Sequence, residues 1–493
     1  MAEQKQILEL IADQLLYQAD APLVFNSSFF LFFFTFFFLG YAWLYKKTTW
    51  RLSWVVLFSL YFFYKACGYY VGLILLASVV DFYISHWIDQ SKNAQRKKAL
   101  LVFSIVLNLG LLFYYKYTDF FIQLWNEWGN HQVSMLHLIL PVGISFYTFE
   151  NLSYTVDVYR GHFKPVKKWL DYIFFLSFFP KLMMGPIVRA ADFLPQIRQQ
   201  WELKREDIAF GFFYVFTGCF KKVVISDYLY NQIVSVVFDD PTRYNGVYGL
   251  TAVYAYALVI YCDFSGYSDM AIGIARWMGL KIDTNFLAPY QSQSITEFWR
   301  KWHISLSSWL RDYLYIPLGG NRKGLFRTYL HLLITMLLGG FWHGANWTFI
   351  IWGALHGGAL ALDKWRLDIF KKHSIQWALP KGLAVFLTFH FVVFCWIFFG
   401  PDSLEKSQII LNQILFNFDV ATLSAFVVHY QAVLWMIALA LALHQLPLNW
   451  NERAIQWLSQ RNALVYIMIG ISMLMVYAFY KSDTIIPPIY LQF

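Results

Sequence analysis

Residues 337–357 read LLGGFWHGANWTFIIWGALHG, and within them His343 stands between the pair Gly339 and Gly340 and a third glycine, Gly344, flanked by Trp342 and Trp347. An ionisable side chain in so apolar a run usually faces a cavity or a partner. Imidazole titrates near about pH 6.5, so it can take the proton that a hydroxyl must lose when it attacks an acyl thioester. The glycines remove side chains around it, which would let a thin ligand come close to the backbone. The competing reading is a core histidine hydrogen-bonded to a neighbouring helix, and the local residues do not choose between the two.

His303 raises the same question with less local support, because the segment around it, SQSITEFWRKWHISLSSWLRDYLYIPLGGNRKG (292–324), reads as a helix that accommodates histidine without any special role. His331, His356, His390, His429 and His444 fit packing, interfacial or helix-to-helix hydrogen-bonding positions. Asp263 and Asp269 in YCDFSGYSDMAIG are carboxylates inside an apolar run. Six residues apart, they point about 120° from each other on a helix and so do not form a dyad. Polar ties to neighbouring helices suit them better, with Arg276 or Lys301 as partners, and Glu150 reads likewise. The chain has no phosphate-binding loop, no dinucleotide glycine fingerprint, no HExxH and no Gly-x-Ser-x-Gly. Its chemistry is histidine chemistry.

The elements that must position these residues are membrane helices. Of 493 residues 58% are hydrophobic and 14% charged, against about 25% charged in a soluble domain. That excludes an ordinary soluble enzyme. Apolar runs recur from Ser28 to Tyr480, long enough for roughly ten to thirteen spans and re-entrant pieces across a ~30 Å hydrocarbon core. Continuous rather than alternating runs argue against a barrel. Spans are expected at residues 28–45, 52–65, 70–88, 99–115, 136–158, 170–187, 206–225, 246–279, 329–350, 351–363, 382–399, 424–445 and 462–480. A full crossing by 170–187 would put Arg189, Arg198, Lys204 and Arg205 on the wrong side, so one piece there is expected to be re-entrant.

The net charge of +9 gathers in short connections such as Lys46, Lys47 and Arg51, or Arg96, Lys97 and Lys98. This places them in the cytoplasm, whereas a nucleic-acid binder would collect its charge on one face. Ser294 and Glu297 have capping-box spacing, so a helix is expected from there to Pro317, with apolar residues Phe298, Trp302, Leu306, Trp309, Leu310 and Tyr313 on one side. The four cysteines lie singly with no metal-ligand spacing. Residues 1–27 read as an amphipathic extension, 28–480 as one membrane domain and 481–493 as an aromatic tail.

The ordered series LPVGISFYTFENLSYTVDVYRG (140–161), FFPKLMMGPIVR (178–189), YCDFSGYSDMAIGIARWMGL (261–280), ITEFWRKWHISLSSWLRDYLYIPLGGNRKG (295–324) and the His343 motif closely resembles the membrane-bound O-acyltransferase family. The branch it looks like contains the alginate and peptidoglycan O-acetyltransferases. The similarity runs from Val24 to the C-terminus and leaves the N-terminal extension unmatched. The resemblance implies an all-α polytopic protein, a helical ring with re-entrant helices around a central tunnel through the membrane. It puts the family's essential histidine on His343 and its second histidine on His303, with Trp302, Trp342, Asn346, Gly340, Gly344 and Asp263 as expected tunnel or substrate-lining residues. The ending IIPPIYLQF resembles an aromatic C-terminal motif found in this branch and in the small partner of the teichoic-acid D-alanylation system, where the tyrosine is proposed to carry the acyl group; carried over, that residue is Tyr490. A phenol of pKa about 10 makes a more activated ester than an alkyl alcohol does. Ile489, Tyr490 and Phe493 would equally serve as an interfacial anchor.

From these readings the expected function is transfer of an acetyl group from cytoplasmic acetyl-CoA, with no permanently bound cofactor. The group would cross the bacterial inner membrane to O-acetylate an extracytoplasmic polysaccharide. Because the chain has no soluble domain able to hold a glycan, an extracytoplasmic transferase of the SGNH type is the expected partner beside the lipid bilayer. The alternatives are D-alanyl or other acyl transfer to teichoic acid or lipid, and, in a different class, a transporter or channel. The lack of visible paired repeats argues against the last.

Overall fold

The structure is a computed structural model, and it describes residues 14–18, 23, 25, 27–129, 131–374, 376, 379–481, 488 and 489. Among these it is helical with no strand. Seven helices are long and apolar enough to cross a membrane, or up to nine if each of two sharply bent pairs counts as one span. The chain forms two compact units. One holds described residues of Met1–Val215 and Met270–Asp283, the other those of Phe216–Asp269, Thr284–Ser482 and Pro488–Phe493.

The first unit contains helices α1 (Ser28–Trp43), α2 (Thr48–Cys67), α3 (Val71–Gln90), α4 (Ala94–Gly129), α5 (Ile144–Arg160) and α6 (Trp169–Ser177). Phenylalanine rings fill its core. Phe37 packs on Phe58 at 4.3 Å and on Phe179 at 5.2 Å. Polar residues tie the helices together inside the apolar surroundings. Asp81 of α3 accepts from Ser104 and Asn108 of α4, Asn108 accepts from Asn151 of α5, and Asn151 accepts from Tyr172 of α6. Glu150 makes the helix tie expected of it, pairing with buried Lys181. Arg51, grouped above with the charges of a cytoplasmic connection, is buried and donates to the carbonyls of Tyr45 and Gln199.

Two expected spans of this unit differ from what is seen. Residues 131–141 are not helical, so α5 is shorter than the span read at 136–158. The piece at 170–187 is broken after the nine residues of α6, which reach only about 13 Å. Pro180 sits just beyond the break, where a ring without an N–H cannot continue a helix. The charge pattern led to an expected re-entrant piece here, and the structure shows a broken helix at this place.

The remaining elements follow in chain order. A helix starting at Arg205 runs through π-wound stretches at Phe220–Asp227 and Tyr230–Val234 to Asp239, and α7 (Gly246–Trp277) follows. Then come α8 (Ile295–Lys301), α9 (Ile304–Leu310), α10 (Leu325–His343), α11 (Trp347–Lys372) and α12 (Lys381–Phe399). The bent pairs Leu404–Phe416 with Val420–His429 and Gln431–His444 with Asn449–Ser459 lead to α13 (Ala463–Tyr480). Helices α10 and α11 pack most closely, because glycines face one another. A Cβ on Gly340 would meet the Phe349 carbonyl at 2.3 Å, and one on Gly353 would meet the Met336 carbonyl at 2.4 Å.

Candidate active site

His343 is the last residue of α10. The chain then turns through extended Gly344 into α11, whose first turn is capped by Asn346 accepting from the Thr348 amide. The ring is 4% exposed and walled by aromatics: Trp342 at 5.1 Å, Phe399 at 5.1 Å and Trp352 at 5.2 Å. Trp352 in turn packs on His356 at 4.8 Å, one turn further along α11. The spacing of 352 and 356 is i, i+4, so one helix face presents both rings.

This face carries polar atoms that the protein leaves open. The Trp352 Nε1–H is buried without a hydrogen-bond partner, as is His356 Nε2. His356 Nδ1 accepts from the indole of Trp299 at 3.3 Å. An imidazole that accepts at Nδ1 and stays neutral bears its proton on Nε2, so this helix face carries two N–H donors without acceptors, the one on Trp352 beside His343. Buried donors of this kind cost free energy unless something fills them. A buried N–H of this kind can donate to the oxygen of a carbonyl that becomes negative during acyl transfer.

His303 is fully buried and lies at a break rather than within the single helix expected from Ser294 to Pro317. The start is as read, with Ser294 Oγ accepting from the Glu297 amide at 3.2 Å. The break has a definite cause in Asn285. The Asn285 carbonyl accepts from the Ile304 amide at 2.9 Å, and its Oδ1 accepts from the Ser305 amide at 3.1 Å and the Ser305 hydroxyl at 2.9 Å. His303 Nδ1 lies 3.2 Å from the same oxygen. These bonds hold His303 in a left-handed conformation, φ 43°, which costs a non-glycine residue about 1–3 kcal/mol and persists only where its surroundings impose it. With Nδ1 as the donor, Nε2 keeps the lone pair. Burial pushes the pKa of this imidazole down to about 3, so it is neutral near pH 7.

A run of ring contacts joins the two histidines. His303 touches Phe286, Phe286 touches Trp302 at 5.1 Å, Trp302 touches Trp396 at 5.1 Å, and Trp396 reaches Trp352 beside His343. Trp302 and Trp342 thus belong to the walls of this region, though both are buried. The remaining expected lining residues do other work. The space beside Gly340 is taken by α11 and that beside Gly344 by the ring of Phe349, 2.2 Å from where a Cβ would stand. Asn346 caps α11 and donates to the Asp402 carbonyl. Asp263 pairs with Lys222 at 2.6 Å and Asp269 with Lys221 at 2.6 Å. The expected partners Arg276 and Lys301 are engaged with Asp207 and Glu297 instead. The reason is the π-wound stretch, which turns two neighbouring lysines toward α7. Tyr490 lies outside the described residues.

Asn285 and Trp352 were not singled out in the sequence, whereas His356 was read there as a packing or helix-to-helix hydrogen-bonding residue, and it makes such a bond with Trp299. Asn285 had no helical pattern to place it, while the i, i+4 spacing of Trp352 and His356 within residues 337–357 was a readable signal.

A family model described as MBOAT, membrane-bound O-acyltransferase family, matches residues 23–400. The chain belongs to this family. It is therefore a multi-pass helical membrane acyltransferase. A Helicobacter pylori protein named peptidoglycan O-acetyltransferase is 37% identical over 421 residues, 79% of each chain. One from Azotobacter vinelandii named probable alginate O-acetylase AlgI is 39% identical over 416 residues, 82% of this acyltransferase and 80% of that protein. A Bacillus subtilis teichoic acid D-alanyltransferase is 29% identical over 279 residues, 54% of this acyltransferase and 69% of its relative.

Proposed function

We propose that this acyltransferase takes an acetyl group from acetyl-CoA at the cytoplasmic face of a bacterial inner membrane and passes it outward for O-acetylation of an extracytoplasmic polysaccharide. The observation that carries the reading is the pair of acceptor-less donors, Trp352 Nε1–H and His356 Nε2–H, on the helix face beside His343. In the proposed step His343 removes the proton of an attacking hydroxyl, the oxygen bonds to the thioester carbonyl, and the carbonyl oxygen takes its developing charge to those donors. The C–S bond then breaks, and the thiolate of coenzyme A leaves with the proton that His343 had taken. His303, neutral and oriented by Asn285, is the second histidine, and Trp302 and Trp342 shape the apolar walls.

The hydroxyl is that of Tyr490 or of the acceptor itself. A glycan acceptor would be held by a separate extracytoplasmic transferase of the SGNH type. Acetyl is favoured over D-alanyl because the O-acetyl-named relatives match this chain at higher identity and over more of its length.

The test is intact-protein mass spectrometry with coenzyme A release after incubation of the purified protein with acetyl-CoA, for wild type, His343→Ala and Tyr490→Phe. An adduct of one acetyl mass on wild type, lost in both variants, is the expected result with Tyr490 as carrier. Thioester turnover that is lost in His343→Ala while no adduct ever forms would assign direct transfer and leave Tyr490 as an anchor. Unchanged turnover in a folded His343→Ala would overturn the catalytic reading.

A further inference from the structure

Lys222 and Asp227 sit five residues apart on the π-wound stretch Phe220–Asp227. In an α-helix residues so spaced diverge, but i to i+5 winding brings them onto one face. Lys222 Nζ accordingly lies 2.7 Å from Asp227 Oδ1 and 2.6 Å from Asp263 Oδ1 of α7, with all three side chains buried. One ammonium thus serves two carboxylates. Two carboxylates sharing one ammonium in an apolar interior call for further donors.

A further donor comes from far along the chain. The Ile489 amide donates to Asp263 Oδ2 at 2.9 Å. Pro488 and Ile489 are both buried, and the Ile489 side chain packs in the same apolar core as Val224, Ile225 and Cys262. A backbone N–H on a carboxylate is a charge-assisted bond, stronger than a neutral one.

We infer that the Lys222–Asp263 pair is a latch for the segment around Ile489: Asp263, fixed by Lys222, captures the Ile489 amide and so tethers the chain one residue before Tyr490. Asp263 is then a positioning residue, not a lining one. The latch stands on the hydrogen bond and the burial. It deepens the tyrosine reading without depending on it, because a segment that only anchors the protein would be held in the same way.

Hydrogen–deuterium exchange of the full-length protein in detergent, followed on the peptide ending at Phe493, reads the latch directly. In Asp263→Ala the peptide should exchange about tenfold faster or more while peptides of α10 and α11 keep their wild-type rates. Asp263→Asn, which keeps an oxygen acceptor but no charge, should fall between. If Asp263→Ala does not fold, Ile489→Pro removes the donor and leaves the cluster intact, and it should show the same fast exchange. Wild-type exchange of this peptide in Asp263→Ala, or in Ile489→Pro, would overturn the latch. The acetyl adduct described above is read separately in the same variants. Fast exchange with a normal adduct keeps the latch and removes its bearing on Tyr490, and wild-type exchange overturns the latch whatever becomes of the adduct.

Discussion

If His343 is the proposed base, replacing it by alanine leaves the end of α10 and its aromatic walls in place and puts the loss on proton transfer. Acyl transfer should drop about 10²- to 10⁴-fold, with normal yield and elution on gel filtration. Trp352→Phe keeps the ring and deletes one acceptor-less N–H. If that donor meets the carbonyl oxygen of the transition state, turnover should fall about 10²- to 10³-fold with little change in KM, and an unchanged kcat would remove Trp352 from the reaction. Asn285→Ala takes away the oxygen that orients His303 and should lower kcat roughly tenfold to hundredfold. Asn285→Asp, which restores an acceptor at the same place, should recover part of the loss, whereas a purely structural role would make the buried aspartate worse. At this scale the sequence made His343 legible, because a histidine among glycines and tryptophans is conspicuous. Asn285 was not legible: its contacts are to residues about twenty positions on, and no periodicity announces them.

Between elements, the decisive contact is α10 against α11. Gly340 and Gly353 let the two backbones meet, and the expectation that Gly340 cleared room for a ligand gives way to helix packing. Gly353→Ala should cost about 1–3 kcal/mol through overpacking, visible as a lower melting temperature. Gly358→Ala, on the same helix with nothing within 4 Å of its Cβ, should not. The apolar runs themselves were readable at nearly every helix. What the runs could not show was where they break. The segment after Ser294 looks like one helix by its spacing, yet it parts at Trp302 and His303, where the Ile304 and Ser305 amides donate to Asn285 instead of to the helix ladder. The π-wound stretch at Phe220–Asp227 was equally hidden, since composition does not distinguish i+5 from i+4 winding. That is why the partners of Asp263 and Asp269 were misread while their role as polar ties was not.

For the whole molecule, the buried histidine makes stability depend on pH. His303 titrates near about 3 when folded and near about 6.5 when unfolded. Below about pH 6.5 the unfolded chain binds a proton that the folded one does not, so stability falls as pH drops from there toward about 3. Melting temperatures in detergent at pH 7.5 and pH 5 should show this loss, and His303→Gln should have a shallower slope over the same interval. A slope no different from wild type would mean that other groups carry the acid sensitivity. The bond between Asp263 and Ile489 has a consequence for how the protein is made. Its two ends are 226 residues apart, so at about 5–20 residues per second the carboxylate enters the membrane on the order of 10 to 45 s before its amide partner is synthesised. Throughout that interval it has Lys222, translated 41 residues earlier than Asp263, as its charge partner. The order of these residues in the chain therefore matches the order in which a buried charge needs them during insertion, with the lysine first, the aspartate second and the closing amide last.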